Sequence, residues 1–260
     1  FRQPLDFKKG QKMKRFWVCL VVFVFLLGCA SRSKIAPRTG NEQFEIAKEK
    51  YQKKKYDEAV NEFYKVIFSY PGASFIDSAQ LYLGMCYYWQ EDYSLAIAEF
   101  KKLLSSFPTS RLADEAEYFI PLCNYYMSSK APLDQEDTKL AVEGFANFLD
   151  YYPDSPYVPR AKRYLLEARS KLAEKAYRNG VLYVKLDQYP AALIYFNEVL
   201  DKYGDTKWAG KSVFKVAEVF QKQGERGKAL EKYKELVQNY PQEELVKEAQ
   251  KRIEKLEGKS

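Results

Sequence analysis

No histidine occurs anywhere in these 260 residues. The commonest general base, the usual zinc and haem ligand, and the side chain that titrates near neutral pH are all missing together. Glycine and proline are sparse, at 12 and 11, and no glycine-rich phosphate loop appears. No nucleophile sits in a pattern with a base, and no cysteine or acid spacing suits a metal. Paired carboxylates exist at Glu91-Asp92 and Glu243-Glu244. They fall on expected turns and helix starts, where acids favour the helix dipole. The chain therefore reads as a non-enzyme, with no catalytic residue, no metal site and no cofactor. Long apolar runs are lacking too. Phe16–Leu27 extends for twelve residues, roughly 18 Å as a helix against a hydrocarbon core of about 30 Å, which is too short for a membrane span.

What is present is positive charge, formally +7 overall. Its location decides its meaning. Residues 1–28 hold Arg2, Lys8, Lys9, Lys12, Lys14 and Arg15 against one acid, Asp6, which leaves 36 basic and 34 acidic residues in the remainder. Nucleic-acid binding needs Lys and Arg concentrated on one face. A near-neutral remainder with interleaved signs does not supply that, so no nucleic-acid partner is expected.

Met13-Lys14-Arg15, the apolar run and Leu26-Leu27-Gly28-Cys29 form a cationic start, a hydrophobic stretch and a small residue before a cysteine. This is the layout of a cleavable secretory signal. Residues 1–12 then read as sequence upstream of a start at Met13. The last four residues resemble the lipobox of bacterial lipoproteins. That resemblance implies a lipid on Cys29, cleavage just before it and acylation of the new amino terminus. Several acyl chains give lasting attachment where one binds only marginally. Ala30-Ser31, with no Asp after the cysteine, resembles lipoproteins sent to the outer membrane. Residues 29–40 then form a lipidated tether. Two further cysteines, Cys86 and Cys123, fall at equivalent repeat positions and read as buried apolar residues without a disulfide.

A repeat fills the remaining chain. Ala59 is followed at four, eleven and twelve residues by Phe63, Tyr70 and Pro71. The same offsets recur from Ala96 (Phe100, Phe107, Pro108), Ala141 (Phe145, Tyr152, Pro153), Ala192 (Phe196, Tyr203, Gly204) and Ala229 (Tyr233, Tyr240, Pro241). Alanine and an aromatic four residues on share a helix face; the proline stops the helix. A second helix lies upstream of each anchor, marked by Gly84 and Tyr87, Gly180 and Tyr183, and Ala217 and Phe220. Each unit is helix, turn, helix, turn.

This pattern resembles the tetratricopeptide repeat. The resemblance implies an all-α solenoid of about five helical hairpins. A helix of roughly 29 residues is expected over Val158–Leu186, between the third and fourth units. An insertion between Ser128 and Thr138 lengthens the third unit, and Glu243–Leu256 reads as a capping helix. Residues 41–157 would form an amino-terminal lobe of three units, and residues 158–260 a carboxy-terminal lobe of two plus the cap.

Several stretches narrow the resemblance: the lipobox, the short tether, Tyr152-Pro153-Asp154-Ser155-Pro156-Tyr157, Leu133-Asp134-Gln135 and the long helix. Together they are similar to the BamD family of outer-membrane assembly lipoproteins. The resemblance implies a scaffold of the β-barrel assembly (BAM) complex, lipid-anchored on the periplasmic face of the outer membrane. Its carboxy-terminal repeats would dock on the periplasmic domains of BamA, beside the other BAM lipoproteins. Its amino-terminal repeats would receive unfolded outer-membrane proteins. Tyr51, Tyr88, Trp89, Tyr125 and Tyr126 are expected on the inward side of the first helices, as a groove for an aromatic-rich peptide. A different envelope scaffold with the same repeats, serving peptidoglycan synthesis or secretion, remains the alternative.

Overall fold

The computed structural model describes residues 38–128, 130–131, 133–241 and 244–258. The signal segment, Cys29, the tether as far as residue 37, and Glu243 lie outside the described residues. The repeats occupy the compact unit Gly40–Ser260. Among the described residues there are eleven helices and no strand. They are α1 (Gly40–Gln52), α2 (Tyr56–Ser69), α3 (Ile76–Trp89), α4 (Tyr93–Ser106), α5 (Ala113–Met127), α6 (Glu136–Tyr151), α7 (Val158–Lys185), α8 (Tyr189–Tyr203), α9 (Trp208–Lys222), α10 (Arg226–Asn239) and α11 (Val246–Glu257). Each helix packs on the next, so α1–α2, α3–α4, α5–α6, α7–α8 and α9–α10 are five stacked hairpins closed by α11. The fold is an all-α tetratricopeptide solenoid.

The repeated anchors form its core. Ala59, Ala96, Ala141, Ala192 and Ala229 are fully buried, and so are Phe63, Phe100, Phe145, Phe196 and Tyr233 four residues on. Burying one such ring is worth about 1.5–3 kcal/mol. The small residues of the first helices are there for space. A Cβ added at Gly84 would lie 2.6 Å from the Phe100 ring, and one at Gly180 would lie 2.6 Å from Phe196. In the third hairpin the roles change. Pro121 stands inside α5, and Gly144 on α6 leaves room for it: a Cβ there would lie 2.8 Å from the proline ring.

The punctuation follows from backbone sterics. Tyr70, Phe107, Tyr152 and Tyr240 precede proline, and each leaves the helical region with φ between −134° and −129°. A residue before proline is disfavoured in the helical conformation. Tyr203 precedes Gly204 instead, and α8 runs one residue further, through the tyrosine. At the hairpin turns, Lys54, Glu91, Asp187 and Gly224 hold left-handed φ values of 57°, 64°, 55° and 78°. Each sits five residues before its anchor alanine. Three of these four positions carry a side chain in a conformation that favours glycine.

Cys86 and Cys123 are free and buried, and burial pushes each thiol up to about 12. The long helix has 28 residues, Val158–Lys185. Its contacts reach α5 and α6 on one side and α8 and α9 on the other. The cap, expected from Glu243, begins at Val246 and ends at Gly258, whose φ is +74°. Among the described residues no helix is long and apolar enough to cross a membrane.

Candidate functional site

Stacking places the last turns of α1, α3 and α5 side by side, and the five aromatics expected there meet one another. The Trp89 indole N–H donates to the Tyr51 hydroxyl at 3.0 Å. Tyr88 lies edge-on to Trp89 at 5.1 Å and 6.1 Å from Tyr126. Tyr125 and Tyr126 are in edge contact at 5.6 Å. These side chains lie close to the hairpin turns. Tyr51, Tyr88 and Tyr125 are half-buried against the core. Trp89 and Tyr126 remain 50% and 43% exposed, which leaves two ring surfaces for a ligand.

The row is longer than the first-helix register implies. Tyr56 and Tyr93, the first residues of α2 and α4, join it: Tyr56 is edge-on to Tyr51 at 5.8 Å, and Tyr93 stacks on Tyr126 at 5.6 Å. They are 37 residues apart, the separation of Ala59 and Ala96; that equality is the signal that would have found them. Tyr164 of the long helix closes the row, 5.0 Å from Tyr125, with its hydroxyl 3.1 Å from that of Tyr126. Glu167 accepts the Tyr125 hydroxyl at 2.6 Å, and the Lys171 ammonium lies 4.2 Å over the Tyr125 ring. The register set by Gly180 and Tyr183 covers the part of α7 that packs on α8, and does not reach the earlier turns that meet the row.

Burial pushes the phenols of Tyr51 (to about 12), Tyr88, Tyr125 and Tyr126 upward. All four stay protonated at neutral pH and present O–H donors beside apolar ring faces. This is the chemistry of a surface that takes an extended peptide: area from the rings, hydrogen bonds to its backbone from the hydroxyls. It contains no nucleophile–base pair. Among the described residues, no group of three or more Cys, Asp or Glu side chains could hold a metal.

The insertion is anchored beside the row. Gln135 is 2% exposed. Its amide donates to the carbonyls of Lys130, Leu133 and Asp134 at 2.9–3.3 Å, and its oxygen accepts the Thr138 hydroxyl at 2.7 Å. From α7, Lys171 donates to Ser128 Oγ at 2.7 Å and Lys175 to the Leu133 carbonyl at 2.8 Å. The carboxylate pair Glu91-Asp92 is used structurally. Glu91 is the left-handed turn residue, and Asp92 precedes α4.

A family model described as "YfiO: Outer membrane lipoprotein" matches residues 37–229. The chain belongs to the YfiO outer membrane lipoprotein family. The YfiO match takes in the whole aromatic row, the insertion and the long helix, and ends inside α10. A curated relative, the outer membrane protein assembly factor BamD of Vibrio cholerae, is 32% identical over 108 residues. That alignment covers 42% of this chain and 44% of the relative, so it spans less than half of either. Among solved structures, the chain is similar to the TPR2AB domain of yeast Sti1 in complex with pHSP90. Identity there is 13% and the TM-score 0.44, over 84% of this chain and 82% of that one. It is also similar to a tetratricopeptide repeat protein from Parabacteroides merdae, with 14% identity and a TM-score of 0.37 over 85% and 74%.

Proposed function

We propose that this protein is a scaffold of the β-barrel assembly complex, held at the periplasmic face of the outer membrane by lipid on Cys29. In this reading the first three hairpins receive unfolded outer-membrane proteins. The last two dock on the periplasmic domains of BamA, beside the other lipoproteins of the complex. Family membership supports the envelope setting, and the name of the Vibrio cholerae relative supports the assembly role. The observation that carries the reading is the aromatic row from Tyr51 to Tyr164, with Trp89 and Tyr126 half exposed. A nascent barrel protein offers extended segments whose side chains alternate, and its terminal signal ends in an aromatic. Such a segment matches a row of rings spaced by helix packing.

The test is binding of a carboxy-terminal barrel-protein peptide to the full chain and to a variant carrying Tyr88→Ala, Trp89→Ala and Tyr125→Ala. Loss of three aromatic contacts, each worth about 1 kcal/mol, should weaken binding at least a hundredfold. Undiminished binding by the variant would refute the groove. Affinity purification in mild detergent, followed by mass spectrometry, should return BamA as the main partner and an acylated peptide beginning at Cys29. Recovery of peptidoglycan or secretion machinery in its place would favour the alternative scaffold.

A further inference from the structure

We infer that the aromatic row has a direction: the ammonium of Lys171 takes the free carboxylate of a bound peptide, whose terminal aromatic rests on Tyr126 and Tyr164. This inference rests on the peptide-binding reading above. It is carried by a difference between the two ends of the row.

At the α1 end, three of the four nearby lysines are paired, and the fourth, Lys54, is exposed and keeps its charge in water. Lys50 and Lys55 both hold Glu58, at 2.5 and 2.9 Å, and Lys53 holds Glu49 at 2.5 Å. At the α7 end, Lys171 is half-buried. Among the described residues no carboxylate lies within the 4.0 Å of an ion pair with it; its contacts are the Ser128 hydroxyl at 2.7 Å and the face of Tyr125. Glu167 acts on it only from beyond that distance, and the Glu167 carboxylate accepts the Tyr125 phenol. Lys175, one turn further along α7, is also half-buried, and it too meets a neutral oxygen, the Leu133 carbonyl.

Among the described residues outside this end of α7, half-buried lysines hold a carboxylate, except Lys211, which lies 5.0 Å over the Trp208 ring. Lys48, Lys215 and Lys232, with side chains 28%, 31% and 29% exposed, each hold a carboxylate, at 3.1, 2.7 and 2.7 Å. A charge withdrawn from water without an opposite charge is destabilised. Burial accordingly draws the Lys171 ammonium below its ordinary range. An ammonium has three donors, and Ser128 accepts one. An incoming carboxylate would accept another and supply the missing charge. The site where it would sit adjoins Tyr125, Tyr126 and Tyr164. A peptide bound there by its end would run back over Trp89 toward Tyr51.

The experiment uses the full chain and a ten-residue peptide of alternating aromatic and polar residues ending in phenylalanine. The peptide carries an amino-terminal dye and is compared as free acid and as carboxy-terminal amide, by fluorescence anisotropy. The parent protein should bind the acid about tenfold more tightly than the amide, as befits one charge-assisted hydrogen bond. Lys171→Met should bind both forms with the affinity of the amide, and Lys171→Arg should keep most of the preference. Ser128→Ala removes the contact with the insertion but leaves the charge, and should keep the preference in full. Equal binding of acid and amide by the parent overturns the direction and leaves the groove standing. Loss of the preference in Ser128→Ala assigns the effect to loop placement and also overturns it. Binding of neither form overturns the groove itself, and the direction with it.

Discussion

Hairpins two and four share one internal contact and differ in almost everything around it. Gly84 against Phe100 and Gly180 against Phe196 are the same close approach, with an added Cβ 2.6 Å from the ring in both. Around the first contact lies a polar network. Gln80 donates to the buried Glu99 carboxylate at 2.6 Å, and the Tyr64 hydroxyl lies 3.3 Å from that of Tyr87. Around the second, Ala176 and Tyr195 occupy the places of Gln80 and Glu99. There Tyr183 stacks on Tyr195 at 5.3 Å inside its own hairpin. The turn edges diverge as well: α3 ends in Tyr88-Trp89 and feeds the aromatic row, whereas α7 ends in Val184-Lys185. The buried anchors recur because every hairpin must bury the same face. The surface around them is free to differ, and that is where the aromatic row appears in some hairpins and not in others.

The largest test of the shared contact is its removal. Phe100→Ala and Phe196→Ala should each cost about 4 kcal/mol, measured by urea denaturation. Equal losses would confirm a common core, and a gap of more than about 1.5 kcal/mol would show that the surrounding network matters as much as the ring. A smaller effect separates the turns. Gly224→Ala should destabilise by about 1 kcal/mol, while Glu91→Gly and Asp187→Gly should stabilise by up to about 1 kcal/mol. A loss in the two glycine variants would mean that these side chains do more than tolerate a strained φ. The smallest effect concerns a clasp found in hairpin four. The Arg169 guanidinium donates to both carboxylate oxygens of Asp205 and to the Lys202 carbonyl at 2.7–3.2 Å, and its hydrogen bonding holds Asp205 below the usual carboxylate range. A depressed carboxylate pKa contributes stability above its unfolded value, about 3.9, and loses it as pH falls through the folded value. Arg169→Met should therefore cost about 0.5 kcal/mol near pH 7, since the Asp205 side chain is half exposed to screening solvent. The variant and parent should converge in thermal melts below about pH 4.

Much of this was readable from spacing alone. The alanine–aromatic pairs announced the five hairpins because they occupy the one face that cannot vary, and proline marked the ends because its stereochemistry is local. Other features carry no such mark. Lys54, Glu91 and Asp187 are ordinary surface residues by composition, and their left-handed φ is imposed by turn closure. Pro121 stands where hairpin two has Gly84, and Gly144, next to the retained anchor Phe145, leaves the space for it. The five expected site aromatics do come together, but Tyr164, Glu167 and Lys171 were invisible. They lie in the earlier turns of α7, which the register set by Gly180 and Tyr183 does not reach, so the repeat does not say which side chains there meet the row.

That shared helix has a consequence for how the chain comes apart. In an ordinary solenoid each unit touches only its neighbours, and fraying from one end can halt at any interface. Here one unbroken rod of 28 residues, roughly 42 Å long, is half the wall of two adjacent units. Melting that halts between the third and fourth hairpins must then either detach the whole rod from one side or break it within its length, at the cost of the helical hydrogen bonds at the break. Fraying from the ends of the array is therefore expected to precede opening of the middle, where the aromatic row meets the rod, and hydrogen exchange would check that order.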